Sequence, residues 1–218
     1  MSKTQSSGDR EADAVVLDVG NVLLYWDPRV LFRKIFTTDD GWPDTDKVEW
    51  FLANICTQVW NVQQDLGRSI VEANATLTHQ HPEWHAEIEA YYERFNETIS
   101  GAIESTVACM RDLREIGIPV HGLTNFGCET FAMARERFDF LNEFDGVVVS
   151  GEEGLIKPDP AIFDLMVNRF KLAPERTLFV DDSSTNIEAA RALGFLVHHF
   201  TDTTALRPHL MELGLLRG

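Results

Sequence analysis

Asp18 stands at the end of the apolar run Ala14-Val15-Val16-Leu17 and just ahead of Gly20-Asn21. A short all-apolar run that ends in a carboxylate and then glycine predicts a buried parallel strand opening into a loop. A carboxylate so placed lies at the carboxyl edge of a sheet, where open α/β folds hold their ligands. Three later segments repeat that layout with complementary chemistry: Leu123-Thr124-Asn125, Gly154-Leu155-Ile156-Lys157-Pro158, and Phe179-Val180-Asp181-Asp182 followed by Asn186. A lone carboxylate, a hydroxyl, an ammonium and a carboxylate pair, in that order, are the parts a phosphoryl-transfer site needs.

Positioning these groups requires alternating strands and helices, and the chain supplies them from residue 103 onward. Ile103, Val107, Met110 and Leu113 recur at helical spacing, and Gly117 closes that helix. Strands are predicted over 118–123, 145–150, 178–180 and 195–199, with helices over 128–138, from Asp159-Pro160 onward, over Ile187 to Leu193, and over 205–213. Asp159-Pro160 is a capping side chain followed by proline at the first helical position. The alternation predicts an α/β fold, a Rossmann-like parallel sheet with helices on both faces. Residues 28–100 interrupt it with helices and no strand, Ser69 and Glu72 forming a capping box. The expected organisation is therefore a core of residues 13–27 and 101–218, with a helical cap of residues 28–100 inserted after the first strand. All five tryptophans (Trp26, Trp42, Trp50, Trp60 and Trp84) fall in or beside that cap. They are expected to fill its core, the alternative being that one or two stack on a sugar ring or base at the cleft.

Composition narrows the partners. With 218 residues, a formal net charge of −16 and 44% apolar content, the chain is an acidic globular protein. Nucleic acid and anionic membrane are not expected partners, no segment is apolar enough to span a bilayer, and Met1 to Arg10 is expected to be a frayed tail. Cys56, Cys109 and Cys128 are odd in number and widely spaced, as expected of reduced thiols in a cytoplasmic protein. Cys128, near a helix start, is expected to be packed and inert. His81 and His85 share a helical face at i, i+4 with no acidic residue completing a metal motif, and are expected to be surface histidines, zinc binding being the remote alternative.

The set Asp18-Val19-Gly20-Asn21-Val22, Thr124-Asn125, Lys157-Pro158 and Asp181-Asp182 with Asn186 resembles the four motifs of the haloacid dehalogenase-like hydrolase superfamily, in the branch with a helical cap after the first motif. The resemblance covers residues 13–214 and implies magnesium-dependent phosphate-ester hydrolysis by a carboxylate nucleophile. The chemistry is consistent with the residue types. A carboxylate approaching a phosphate dianion needs positive charge, which magnesium supplies through hard oxygen ligands. Asp18 is then nucleophile and metal ligand, forming an aspartyl-phosphate, with Asp182, Asp181 and the Gly20 carbonyl as further metal ligands. Lys157 neutralises the phosphoryl group and holds Asp18, while Thr124 donates its hydroxyl. The amides of Asn125 and of the residues after Asp18 complete the phosphate cradle. Asn186 orients neighbours. Arg68, on the segment Gln64-Asp65-Leu66-Gly67-Arg68 that is expected to reach the site from the cap, either meets a second anionic group or faces solvent. Taken singly, each residue also has a plain reading: Asp18 or Asp181-Asp182 as turn or helix caps, Lys157 as a loop lysine, Thr124-Asn125 as a strand-to-helix turn.

Most phosphatases of the superfamily carry a second Asp two positions after the nucleophile, as acid and base. Here that position is Gly20. Losing a general acid costs about 10²–10⁴-fold, so another group substitutes, Asp27 being the nearest spare carboxylate, or the leaving group needs little help. A branch with the same Gly-Asn includes sugar-phosphate phosphatases, which points to a small phosphorylated metabolite such as a sugar 1-phosphate, acted on by a monomer or homodimer. Two rivals stand beside this: a metal-free haloacid dehalogenase using Asp18, and a phosphate-binding protein without turnover. The first meets the objection that Asp181-Asp182 would repel an anionic acid.

Overall fold

Five strands form one all-parallel sheet in the computed structural model, which describes residues 10–217. The tail expected over Met1 to Arg10 lies, but for Arg10, outside the described residues. In chain order the sheet strands are β1 (Ala14–Leu17), β4 (Val120–Thr124), β5 (Gly146–Val149), β6 (Thr177–Asp181) and β7 (Leu196–His199), arranged β5-β4-β1-β6-β7. The chain runs outward from β1 through β4 to β5, then returns to β1's other side as β6. Asp18 therefore sits at the topological switch point, where adjacent connections diverge and leave a crevice.

Alternating side chains of the central strands feed two apolar layers. Val15, Leu17, Leu178 and Val180 pack with α6 (Glu104–Glu115) and α11 (Leu206–Glu212). Val16, Leu123, Phe179 and Val148 pack on the other face with α9 (Pro160–Phe170) and α10 (Ser184–Ala192). The Asp159 carboxylate caps α9 by accepting from Ala161 N at 2.9 Å, and α7 (Cys128–Arg137) and the short α8 (Ser150–Glu153) follow β4 and β5.

Between β1 and α6 lie five helices: α1 (Arg29–Ile35), α2 (Thr45–Asn54), α3 (Gln58–Asp65), α4 (Ile70–Gln80) and α5 (His85–Glu93). The Ser69 hydroxyl caps α4 by accepting from Glu72 N at 3.2 Å. The expectation of helices alone needs one correction. Residues Leu24–Trp26 (β2) and Ile99–Ala102 (β3) pair as an antiparallel ribbon where the chain leaves and re-enters the sheet domain, so a strand straddles the expected boundary at residue 100. Phe32, Phe36, Phe51, Trp84, Trp60, Tyr91 and Tyr92 contact one another ring to ring inside the helical part. Trp60 and Trp84 thus fill a core, as expected of them. Trp42 does not: it is 74% exposed. His81 and His85 do not share a helix, because Pro82 ends one helix and a 3₁₀ turn intervenes before the next.

Candidate active site

The carboxyl ends of β1, β4 and β6 bring Asp18, Thr124 and Asp181 together, and the loop ahead of α9 delivers Lys157 between them. The Lys157 ammonium lies 3.0 Å from Asp18 Oδ1 and 2.6 Å from Asp181 Oδ2, and donates to the Leu123 carbonyl at 2.8 Å. Lys157 is 3% exposed and Asp181 0%. Burial alone would strip the Lys157 charge, but Asp18 and Asp181 outweigh it and hold the amine above its ordinary pKa. Asp181 also accepts from Ser183 N at 2.8 Å and from the Asn186 side chain at 3.0 Å. Asn186 therefore orients Asp181.

Asp18 accepts from Val19 N at 2.7 Å through the same Oδ1 that faces Lys157. Burial pushes its carboxyl well above the ordinary range, Lys157 opposing and Asp181 reinforcing the shift. Burial, with the Asp181 charge, also raises Asp182. Oxygens of Asp18, Asp181 and Asp182 lie within 4.8 Å of one another. Three carboxylates against one ammonium leave a deficit of positive charge, and all-oxygen donors are the set a magnesium ion takes. The residues present therefore fit that ion.

The Thr124 hydroxyl is buried at this edge without any hydrogen-bond partner among the described residues. Buried hydroxyls are ordinarily bonded, so this one is a donor held in reserve. Asn21 adopts φ +52°. Its side chain accepts from Trp26 N at 3.2 Å and bonds Asp182, tying the β2 ribbon to the acidic cluster. At Gly20 an added Cβ would meet no atom within 4 Å, so glycine there is not a steric requirement.

Other residues go elsewhere. The Asn125 side chain clamps the lysine loop, donating to Lys157 O at 3.0 Å and accepting from Lys157 N at 2.9 Å. The Val19 amide serves Asp18 itself, and the Asn21 amide donates to Leu24 O at 2.7 Å, which removes both from the expected phosphate cradle. The Arg68 guanidinium, just past the end of α3, bonds Gln64 Oε1 at 2.7 Å and Trp60 O at 3.0 Å on that helix. Asp27 accepts from Arg29 N at 2.9 Å and pairs with the Arg29 guanidinium, which ties up the spare carboxylate as a helix-opening turn. Cys128 is exposed, not packed, and burial with nearby Glu152 raises its thiol. Cys56 and Cys109 are buried and unpaired.

The segment expected to reach in from the cap carries a carboxyl to which the sequence assigns no role of its own. Asp65, at the end of α3, accepts from Gly127 N, and burial pushes it up to about 7. The native state then keeps its proton up to about pH 7, whereas the unfolded chain releases it near pH 3.9. Between those values the native state binds more protons, so stability falls as pH rises. Urea unfolding at pH 5 and pH 8 should show Asp65→Asn gaining on the parent by about 1–3 kcal/mol at the higher pH. Equal differences at both pH values would contradict the shift.

Comparison with known proteins agrees with this geometry. Residues 12–194 match the haloacid dehalogenase-like hydrolases. A sesquiterpene phosphatase of Aspergillus oryzae is 33% identical over 104 residues, covering 48% of this chain and 53% of that protein. The chain thus spans about half the length of that relative. Among solved structures, a predicted HAD-like hydrolase from Porphyromonas gingivalis superposes with a TM-score of 0.72 at 20% identity, over 95% of this chain and 100% of that one. A HAD-family enzyme from Bacteroides thetaiotaomicron, in complex with magnesium and inorganic phosphate, gives 0.69 at 21% identity, over 91% and 98%. At such identities the structural likeness speaks for the fold. The family match covers most of the chain and spans all four of the clustered segments, so the chain belongs to the haloacid dehalogenase-like hydrolases.

Proposed function

We propose that the chain is a magnesium-dependent phosphatase acting on a small phosphorylated metabolite through an aspartyl-phosphate on Asp18. The observation that carries this is the acidic cluster with a single ammonium, Asp18, Asp181 and Asp182 around Lys157. A metal-free dehalogenase would face its anionic substrate with that uncompensated charge, so the cluster argues for cation-assisted chemistry. Asp18, Asp182 and Asp181 would hold the magnesium ion with the Gly20 carbonyl, and bound there the ion supplies electrostatic stabilisation of the transferring phosphoryl group. Asp18, placed by β1 and braced by Lys157, attacks phosphorus. Lys157 meets the charge on the phosphoryl oxygens, and the unpartnered Thr124 hydroxyl donates to one of them. Water then releases phosphate from Asp18.

Substrate preference follows from Gly20. Without a carboxyl at that position an anomeric oxygen, a better leaving group than a simple alcohol, is favoured, which supports a sugar 1-phosphate. Phosphate release from a panel of phosphorylated metabolites, with magnesium and with chelator, tests the reading. Activity present only with magnesium and fastest on sugar 1-phosphates is expected. Undiminished release in chelator would refute the metal requirement, and faster turnover of a simple alkyl phosphate would refute the preference.

A further inference from the structure

Two of the three clustered acids are steadied by different parts of the molecule. Asp181 is fixed from within the sheet domain, by Lys157, the Ser183 amide and Asn186. The side chain that bonds Asp182 comes instead from the loop after β1, and it is Asn21. Resting on the phosphatase reading and its magnesium site, we propose that Asn21 is a positioning residue. It holds Asp182 ready for the ion and ties the site to the ribbon that carries the helical insertion.

The loop is built tightly around this residue. Asn21 N donates to Leu24 O at 2.7 Å, and the Leu23 and Leu24 amides both donate to Val19 O, at 2.9 and 3.0 Å. Asn21 lies in the left-handed region at φ +52°, where glycine fits without strain and asparagine is among the side chains best tolerated. Glycine would serve the backbone alone; asparagine adds an amide with two ends. Its nitrogen donates to Asp182, a carboxylate that offers only acceptors. Its oxygen accepts from Trp26 N at 3.2 Å. A neutral donor suits a carboxylate that must also bond a cation. It orients the side chain and favours the ionised form without bringing a charge that would repel the ion.

The other end of this bridge faces the insertion. The register of β2 on β3 slips between Tyr25 and Trp26, and the amide at that slip is the one that reaches Asn21. The Trp26 ring, with Leu52, Cys56 and Tyr91 of the insertion, lines a cavity of about 500 Å³. Trp26 thus has its backbone tied toward the acidic cluster and its ring set against the insertion. Coupling of this kind is reciprocal. Whatever steadies Asp182 also steadies the Trp26 amide, and a loosened ribbon weakens the hold on the ion.

The test uses the folded protein and magnesium alone, by calorimetric titration and by hydrogen exchange at the Trp26 amide. In the parent, saturating magnesium should slow exchange at Trp26. Asn21→Gly, which suits the backbone and removes only the amide, should weaken magnesium binding by about 10–100-fold and leave Trp26 exchange indifferent to the ion. In an Asp182→Ala background the same substitution should cost no further magnesium affinity, because the group it positions is gone. A lowered unfolding temperature in chelator with unchanged magnesium affinity would assign Asn21 a structural role and overturn the proposal. Equal losses of affinity with and without the Asp182 carboxylate would overturn it too. Should the glycine variant not fold, the parent still decides, since Trp26 exchange unmoved by saturating magnesium would overturn the coupling. Phosphate release separates this role from the reading beneath it. A parent that binds magnesium with these responses but hydrolyses no ester would support the role of Asn21 and overturn the phosphatase, whereas one that binds no magnesium would overturn both.

Discussion

Asp18→Asn is expected to abolish phosphate release, lowering kcat by at least about 10³-fold while leaving the protein folded. The amide matches the carboxylate in shape and can still accept from Val19 N, the 2.7 Å bond that orients the side chain. It lacks the charge and nucleophilicity to displace an ester oxygen. Burial and the neighbouring Asp181 charge both disfavour a charged Asp18, so the neutral replacement relieves repulsion, and Lys157 keeps its 2.6 Å partner Asp181. An inactive protein at least as stable as the parent is therefore the signature, read by phosphate release and thermal unfolding together. Rapid acid quench after mixing with a ³²P-labelled ester should trap a hydroxylamine-labile phosphoprotein in the parent alone. A variant retaining a tenth of parent activity would mean that water attacks the ester directly and that Asp18 serves only to organise the site.

Much of that site was legible because Asp18, Thr124 and Asp181 each sit where a short apolar strand ends. Leu17-Asp18, Leu123-Thr124 and Val180-Asp181 are local signals, and parallel pairing alone brings them to one edge. What was not legible depends on contacts between distant segments. The β2–β3 ribbon joins residues more than seventy positions apart through strands of three and four residues, too short to show a period. Arg68 looks like a free cation in sequence, and only packing of α3 gives it Gln64 and Trp60 as partners. Asp27 looks spare because its bond to Arg29 is a turn that single residues do not announce. Asp65 lies in the segment expected to reach in from the cap, but its burial and its bond to the Gly127 amide depend on packing between distant segments.

Lys157→Met should destabilise the fold as well as stop the reaction, and the two effects separate by magnesium. Methionine keeps most of the unbranched stem but leaves Asp18 and Asp181 facing each other in a buried site with no counter-charge. Removing one partner of a buried ion pair costs about 3–5 kcal/mol, which urea unfolding at pH 7 in chelator should show. The loss should shrink as pH falls, because a protonated carboxyl needs no ammonium. Millimolar magnesium should recover part of it, since an ion held by the three carboxylates binds the native state and not the unfolded one. Activity should stay low even then, because the ion restores charge among the carboxylates but not at the phosphoryl oxygens that Lys157 would meet. A variant as stable as the parent in chelator at pH 7 would show that Asp18 and Asp181 do not carry their charges together. That outcome would remove the charge deficit on which cation-assisted chemistry rests; the expected one would make a single buried ammonium answerable for both the fold's tolerance of the acidic cluster and its use.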